Sequence, residues 1–170
     1  MLLELLGFVQ SDDSLCGVAS VRSVLYYYGI DSSEDLIAIA CNHRYELGCT
    51  NEDMVEALKV FGLGAFLQKN GTIDDLIYWN KHRTPVIVDF FTPSIAHGRE
   101  DMPNGHSGVI VDVDKTNVYL LDPEHGKIRA IQHSEFERVW LDWSGSETIQ
   151  ADTVLDIGVM IIPYAKRLIS

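Results

Sequence analysis

The sequence predicts an α+β fold with helices first along the chain and antiparallel strands second. Two observations predict it. Up to about residue 82 the apolar residues recur at spacings of three and four, between capping residues and glycines, as in amphipathic helices. After Pro85 they gather instead into short, nearly continuous runs separated by turn residues, as in strands. This segregation marks one domain with a helical lobe over about 10–82 and a sheet lobe over about 83–165. With 170 residues, 46% of them hydrophobic and 22% charged, the chain can bury a core and lacks the composition of a disordered one.

The first helix lies within Gln10 to Gly29, where Leu15, Val18, Ala19, Val24, Leu25 and Tyr28 keep helical spacing and Gly29 supplies the stop. Asp12, Asp13 or Ser14 is its expected cap, which puts Cys16 in the first turn. Residues 31–45 read as a second helix capped at Ser32 or Ser33. A third, capped at Thr50 or Asn51, carries Met54, Val55, Leu58 and Phe61 and ends at Gly62. Gly71 to Trp79 forms a shorter fourth around Ile73, Leu76 and Ile77. The run P-V-I-V-D-F-F after Thr84 reads as a buried central strand, and the polar stretch from Thr92 to Gly105 as a functional loop. H-S-G-V-I-V-D-V, the turn D-K-T-N and V-Y-L-L-D-P predict a hairpin. A strand over Gly126 to Ile131, a short helix at S-E-F-E-R-V-W and a last strand at I-G-V-M-I-I-P complete the order.

A thiol in the first turn of a helix meets the positive end of the helix dipole and unpaired N–H groups, which favour thiolate. To act as a nucleophile it needs a base and a group that orients the base. His106 and Asp122 are the expected pair. With Val113 opposite Asn117, Asp122 faces Gly108 and becomes the diagonal neighbour of His106 on one face of the sheet. Gln10, upstream of Cys16, can offer a side-chain N–H to an oxyanion together with the Cys16 backbone N–H. Each residue also has a plainer reading: cysteines are often core, D-P often opens a turn, and a glutamine can simply bond backbone. His97, His125 and His43 compete with His106 for the role of base, the first two as loop residues that contact substrate or solvent.

Q-x5-C-G-x-A-x5-L-x-Y-x-G near the N-terminus, G-H-x-G-V-I-V-D-V-D before the turn and V-Y-L-L-D-P-x-x-G after it resemble the bacteriocin-processing, double-glycine-leader peptidases. These are papain-like cysteine peptidases, often joined to ABC exporters, and the likeness covers about residues 8–140. The resemblance implies a papain-like fold with Cys16 as nucleophile, His106 as general base, Asp122 as its orienting residue and Gln10 in the oxyanion hole. It also implies a peptide or protein substrate and an association with an exporter. No exporter membrane region follows in these 170 residues, so the expectation is a stand-alone member whose substrate need not be a double-glycine leader.

A formal net charge of −12, spread along the chain, disfavours a nucleic-acid partner and would attract a basic peptide. No apolar run reaches membrane-spanning length, and the opening M-L-L-E-L-L-G-F-V lacks the basic leader and cleavage site of a signal peptide. Three cysteines without framework spacing then point to free thiols in the reducing cytoplasm. Cys41, His43 and Cys49 lack a C-x2-C pair and a fourth ligand, so they read as helix core and loop, and the chemistry requires no cofactor. Trp140 and Trp143 read as packing at the sheet edge, and Asp112 and Asp114 as solvated turn residues. The expected activity is hydrolysis of a peptide or related amide bond. An acyl or peptidyl transferase, an amidase and a non-catalytic peptide-binding module of the same fold are the alternatives.

Overall fold

Helical spacing in the first third of the chain becomes three helices packed on one face of a sheet. The computed structural model describes residues 2–45, 47–93, 103–142 and 156–166. In it α1 spans Cys16–Tyr27, α2 Glu34–Ala40 and α3 Asn51–Val60. The expected caps form on two of them: Ser33 accepts from Leu36 N–H, and Thr50 and Asp53 make a reciprocal capping box. At α1 the expectation fails, because Leu15 holds the cap position with no side-chain bond. Asp12 instead accepts from the Ser14 N–H at 3.0 Å and hydroxyl at 2.8 Å, closing the turn that precedes the helix. The second helix is also shorter than expected. It stops at Cys41, where Asn42 takes a φ of 47° and the chain turns toward an Arg44–Gly48 bridge.

The strands pair in the order β1-β8-β2-β3-β4-β5, every neighbour antiparallel. They are β1 Leu63–Gln68, β2 Val86–Pro93, β3 Pro103–Val113, β4 Asn117–Asp122, β5 Lys127–Gln132 and β8 Met160–Ala165. β6 Leu141–Asp142 and β7 Asp156–Ile157 form a separate two-stranded ribbon. α4 (Ile73–Lys81) and α5 (His133–Val139) fall where the spacing placed them. Sequence periodicity missed β1, a six-residue strand within the helical part of the chain. The expected Thr92–Gly105 loop is shorter, because Thr92 pairs with Asn104 and Pro93 with Pro103. Residues 94–102, with His97, lie outside the described residues, as does Trp143.

Alternation along the strands builds two cores. Ile87, Val109, Val111, Leu121 and Ile161 pack with α1, α2 and α3. Val88, Phe90, Ile110, Leu120, Met160 and Ile162 pack with Leu76 of α4 and with Phe136 and Trp140 from α5 and its end. α1 alone buries Val18, Val21, Val24 and Leu25 completely, each such side chain stabilising the fold by roughly 1.5–3 kcal/mol. Trp140 packs inside as expected, its indole N–H donating to the Val159 carbonyl at 3.0 Å.

The hairpin that carries the candidate residues departs from the expected register at its turn. Val113 faces Val118 rather than Asn117, yet Ile110 faces Leu120 and Val109 faces Leu121. A bulge between Ile110 and Asp112 absorbs the extra residue, so that beyond it the ladder runs toward the expected Gly108–Asp122 pairing. The Val111 carbonyl at the bulge accepts from Leu3 N–H at 2.8 Å and from Asn80 Nδ2 at 3.1 Å.

Candidate active site

Cys16 is the first residue of α1, partly exposed, with a free thiol. Its backbone N–H is one of the first-turn donors that a helix cannot satisfy internally. Gly17 behind it is required by space, since a Cβ there would stand 2.7 Å from Cys49 Sγ and 2.9 Å from Met54 Sδ. The start of α1 therefore packs tightly against Cys49 and against Met54 of α3.

His106 lies on β3 opposite Phe90, whose ring meets the imidazole edge-on with centroids 5.4 Å apart. His106 Nε2 is 2.8 Å from Asp122 Oδ1, at the end of β4, and this pair is buried. The ring also acts on the Cys16 side chain, each shifting the other's titration. With Nε2 committed to Asp122, Nδ1 is the nitrogen left for sulfur. Asp122 also accepts from the Glu124 N–H at 2.9 Å and from Arg129 at 2.7 Å, the latter on its second oxygen. The fold thus brings three of the expected residues together, with His106 bonded to Asp122 and acting on Cys16.

Electrostatics favour charge separation along that line. Burial pushes the Cys16 thiol up, but its hydrogen bond to His106 and the charge of that ring outweigh this, leaving it below the ordinary thiol value. Burial would pull His106 down, yet hydrogen bonds to Asp122 and Cys16 raise it to about 10. Burial likewise works against ionised Asp122, and the bonds from His106 and Arg129 hold it well below the usual carboxylate range. Both shifts favour the thiolate–imidazolium form of the pair over the neutral one. Asp12 and Asp13, whose charge would oppose this, are exposed to solvent.

Gln10 is placed by its backbone, whose N–H donates to the Pro123 carbonyl next to Asp122 at 2.9 Å. Its side-chain Nε2 donates to the Asp12 carbonyl at 3.0 Å, while Oε1 is buried without a partner among the described residues. The amide therefore lies over the turn that leads into Cys16. Its second N–H has no bond to a described residue.

The other candidates separate from this line. His43 Nε2 is 2.9 Å from Ser14 Oγ, and His125 stands exposed in the turn after Asp122. Cys41 is buried at the end of α2 and pushes the neighbouring Cys49 thiol well up, while the His43 ring is bonded to Ser14. Two participants escaped sequence reasoning. Arg129 had no signal within its own strand. Asp89 had one, as the single charge inside the apolar run of β2.

Known proteins share this chain's sequence pattern and architecture. The model of the Peptidase_C39 like family matches residues 3–148. The Lactococcin-G-processing and transport ATP-binding protein LagD of Lactococcus lactis subsp. lactis is 30% identical over 131 residues, 77% of this chain. The chain spans 17% of that protein's length. Among solved structures, a double glycine motif protease from an AMS/PCAT transporter, bound to its leader peptide, superposes with a TM-score of 0.69 at 18% identity, covering 97% of this chain and 94% of that one. The peptidase domain of Streptococcus ComA, a bi-functional ABC transporter, also gives 0.69, at 21% identity over 96% of this chain and 99% of the other. At such identities the superpositions establish the fold, a papain-like peptidase architecture. No helix of the described residues is long and apolar enough to cross a membrane.

Proposed function

This chain belongs to the Peptidase_C39 like family, and on that premise we propose that it is a cysteine peptidase hydrolysing a peptide bond through Cys16, His106 and Asp122. The observation that carries the reading is the 2.8 Å bond from the His106 ring to buried Asp122, together with the pull of the same ring on the Cys16 thiol. The Cys16 thiolate attacks the scissile carbonyl carbon. His106 gives its Nδ1 proton to the leaving amine, leaving a thioester on Cys16. Neutral His106 then takes a proton from water, the hydroxide adds to the thioester carbonyl, and the acid departs with the thiolate restored. Asp122 keeps Nε2 engaged, so that the working nitrogen faces sulfur throughout.

In both tetrahedral stages the oxyanion is held by the Cys16 backbone N–H and by the Gln10 amide, whose hold on the Asp12 carbonyl steadies it above that turn. The substrate class that fits the relatives is a leader peptide with a double-glycine motif, presented by a partner exporter. The protein's net charge of −12 favours a leader with basic residues.

The test is cleavage of a synthetic double-glycine leader peptide extended by a reporter segment, followed by mass spectrometry. Wild-type protein should cut after the glycine pair and Cys16→Ala should not. Gln10→Ala should lower kcat by about 10²–10³, the range for loss of one oxyanion donor. Cleavage by Cys16→Ala at the wild-type rate, or no thioester and no cleavage with the wild type, would overturn the reading.

A further inference from the structure

Behind the Cys16–His106 pair lies a second polar group that the mechanism leaves unused. Asp89 on β2 stands directly across the ladder from Ser107 on β3, and Ser107 Oγ donates to Asp89 Oδ1 at 2.6 Å. Both side chains are buried. Asp89 is also hydrogen-bonded to Asn51, the first residue of α3, whose Nδ2 donates to Asp142 Oδ2 of β6 at 2.7 Å. Two strands, a helix and the small ribbon therefore converge on one acid. Its neighbours Ile87, Val88 and Phe90 fill the same strand with hydrocarbon, whereas a carboxyl there costs free energy unless its bonds are made. An expensive residue at a packed position calls for a role.

That role is visible one bond away. Ser107 follows His106 on β3, and its backbone N–H joins that ring in drawing the Cys16 thiol toward the thiolate. We propose that Asp89 is a positioning residue for the nucleophile: by holding Ser107 Oγ, and being anchored through Asn51, it keeps the Ser107 N–H aimed at the thiolate. This rests on the peptidase reading above and names the residue that steadies its sulfur. Burial first, and the charge of Asp142 second, push Asp89 up to about 7, so at mildly acid pH it keeps its proton and exerts little charge on Cys16. Above that pH its negative charge works against the thiolate, with Asp142, His106 and Cys49 as the other titratable groups around it.

The experiment is the pH profile of Cys16 alkylation by iodoacetamide, read by mass spectrometry on the full chain, with folding checked by circular dichroism. Asp89→Ala and Ser107→Ala should each raise the pH at which Cys16 labels half-maximally, lowering the rate at about pH 6 roughly tenfold, the factor carried by one unit of pKa. Asp89→Asn keeps an acceptor for Ser107 Oγ and should stay within about twofold of wild type at that pH. If Asp89→Ala does not fold, Ser107→Ala carries the test alone. A wild-type profile in a folded Asp89→Ala or Ser107→Ala protein would overturn the proposal, as would an Asp89→Asn protein that behaves like Asp89→Ala. Failure of the underlying reading looks different: wild-type Cys16 itself would then show no labelling below the ordinary thiol range.

Discussion

Cys16 and Cys49 lie close together around Gly17, both partly exposed, and their surroundings move them in opposite directions. Cys16 sits below the ordinary thiol value because His106 offers a hydrogen bond and a positive charge. Cys49 sits well above it, first because its hydrogen bond to Cys41 favours the neutral thiol and then because burial does. Burial opposes ionisation at both sites, so exposure cannot explain the difference. The partner does, and only one of the two sulfurs has an imidazole as partner.

The most severe way to break that contrast is to remove the imidazole. In His106→Ala, burial would oppose the Cys16 thiolate with only the Ser107 N–H left to favour it, and its labelling at about pH 6 should fall by about 10²–10³, erasing its lead over Cys49. Retained selectivity, measured by peptide mass mapping, would show that the helix terminus rather than His106 activates the sulfur. In the intact protein the sign is set by the same pair: Cys16 loses its thiolate as pH falls through its lowered value, and His106 loses its proton as pH rises through about 10. Peptide cleavage should therefore decline on both sides, with the alkaline limb near the His106 value.

A smaller disturbance wedges the two thiols apart. In Gly17→Ala the new methyl would press on Cys49 Sγ and Met54 Sδ, and we expect a loss of about 1–3 kcal/mol in denaturant unfolding. An unchanged midpoint would mean that α1 can retreat from Cys49 without cost. The mildest change sharpens the contrast from the other side. Cys41→Ala removes the bond that raises Cys49, and Cys49 should then alkylate a few-fold faster at neutral pH, with Cys16 unaffected. A fall in Cys49 labelling would contradict the assignment of Cys41 as the cause.

Much of this site could be read before the fold was seen, and the reasons differ by residue. Cys16 was legible because helix starts are announced by nearby residues, even though the capping side chain was misassigned and Asp12 serves the preceding turn instead. His106 and Asp122 were legible because a short hairpin makes them close neighbours in the chain as well as in space. Their predicted pairing held beyond the bulge and failed at the turn, because a bulge is a backbone detail that residue alternation does not record. Gln10 was legible only as a donor near Cys16; its backbone bond to Pro123 joins segments far apart in sequence.

By itself, then, the amino-acid order determined the phase and ends of most helices and the buried strand after Pro85, and singled out Cys16, His106 and Asp122 as candidates, since each of these depends on neighbours a few residues away. Tertiary structure alone decided that β1 joins β8, that Cys49 lies behind Gly17, that Ser107 bonds Asp89 and that Asn51 bonds Asp142. Those contacts join residues distant in the chain, and their geometry is set by how two faces of one sheet are packed.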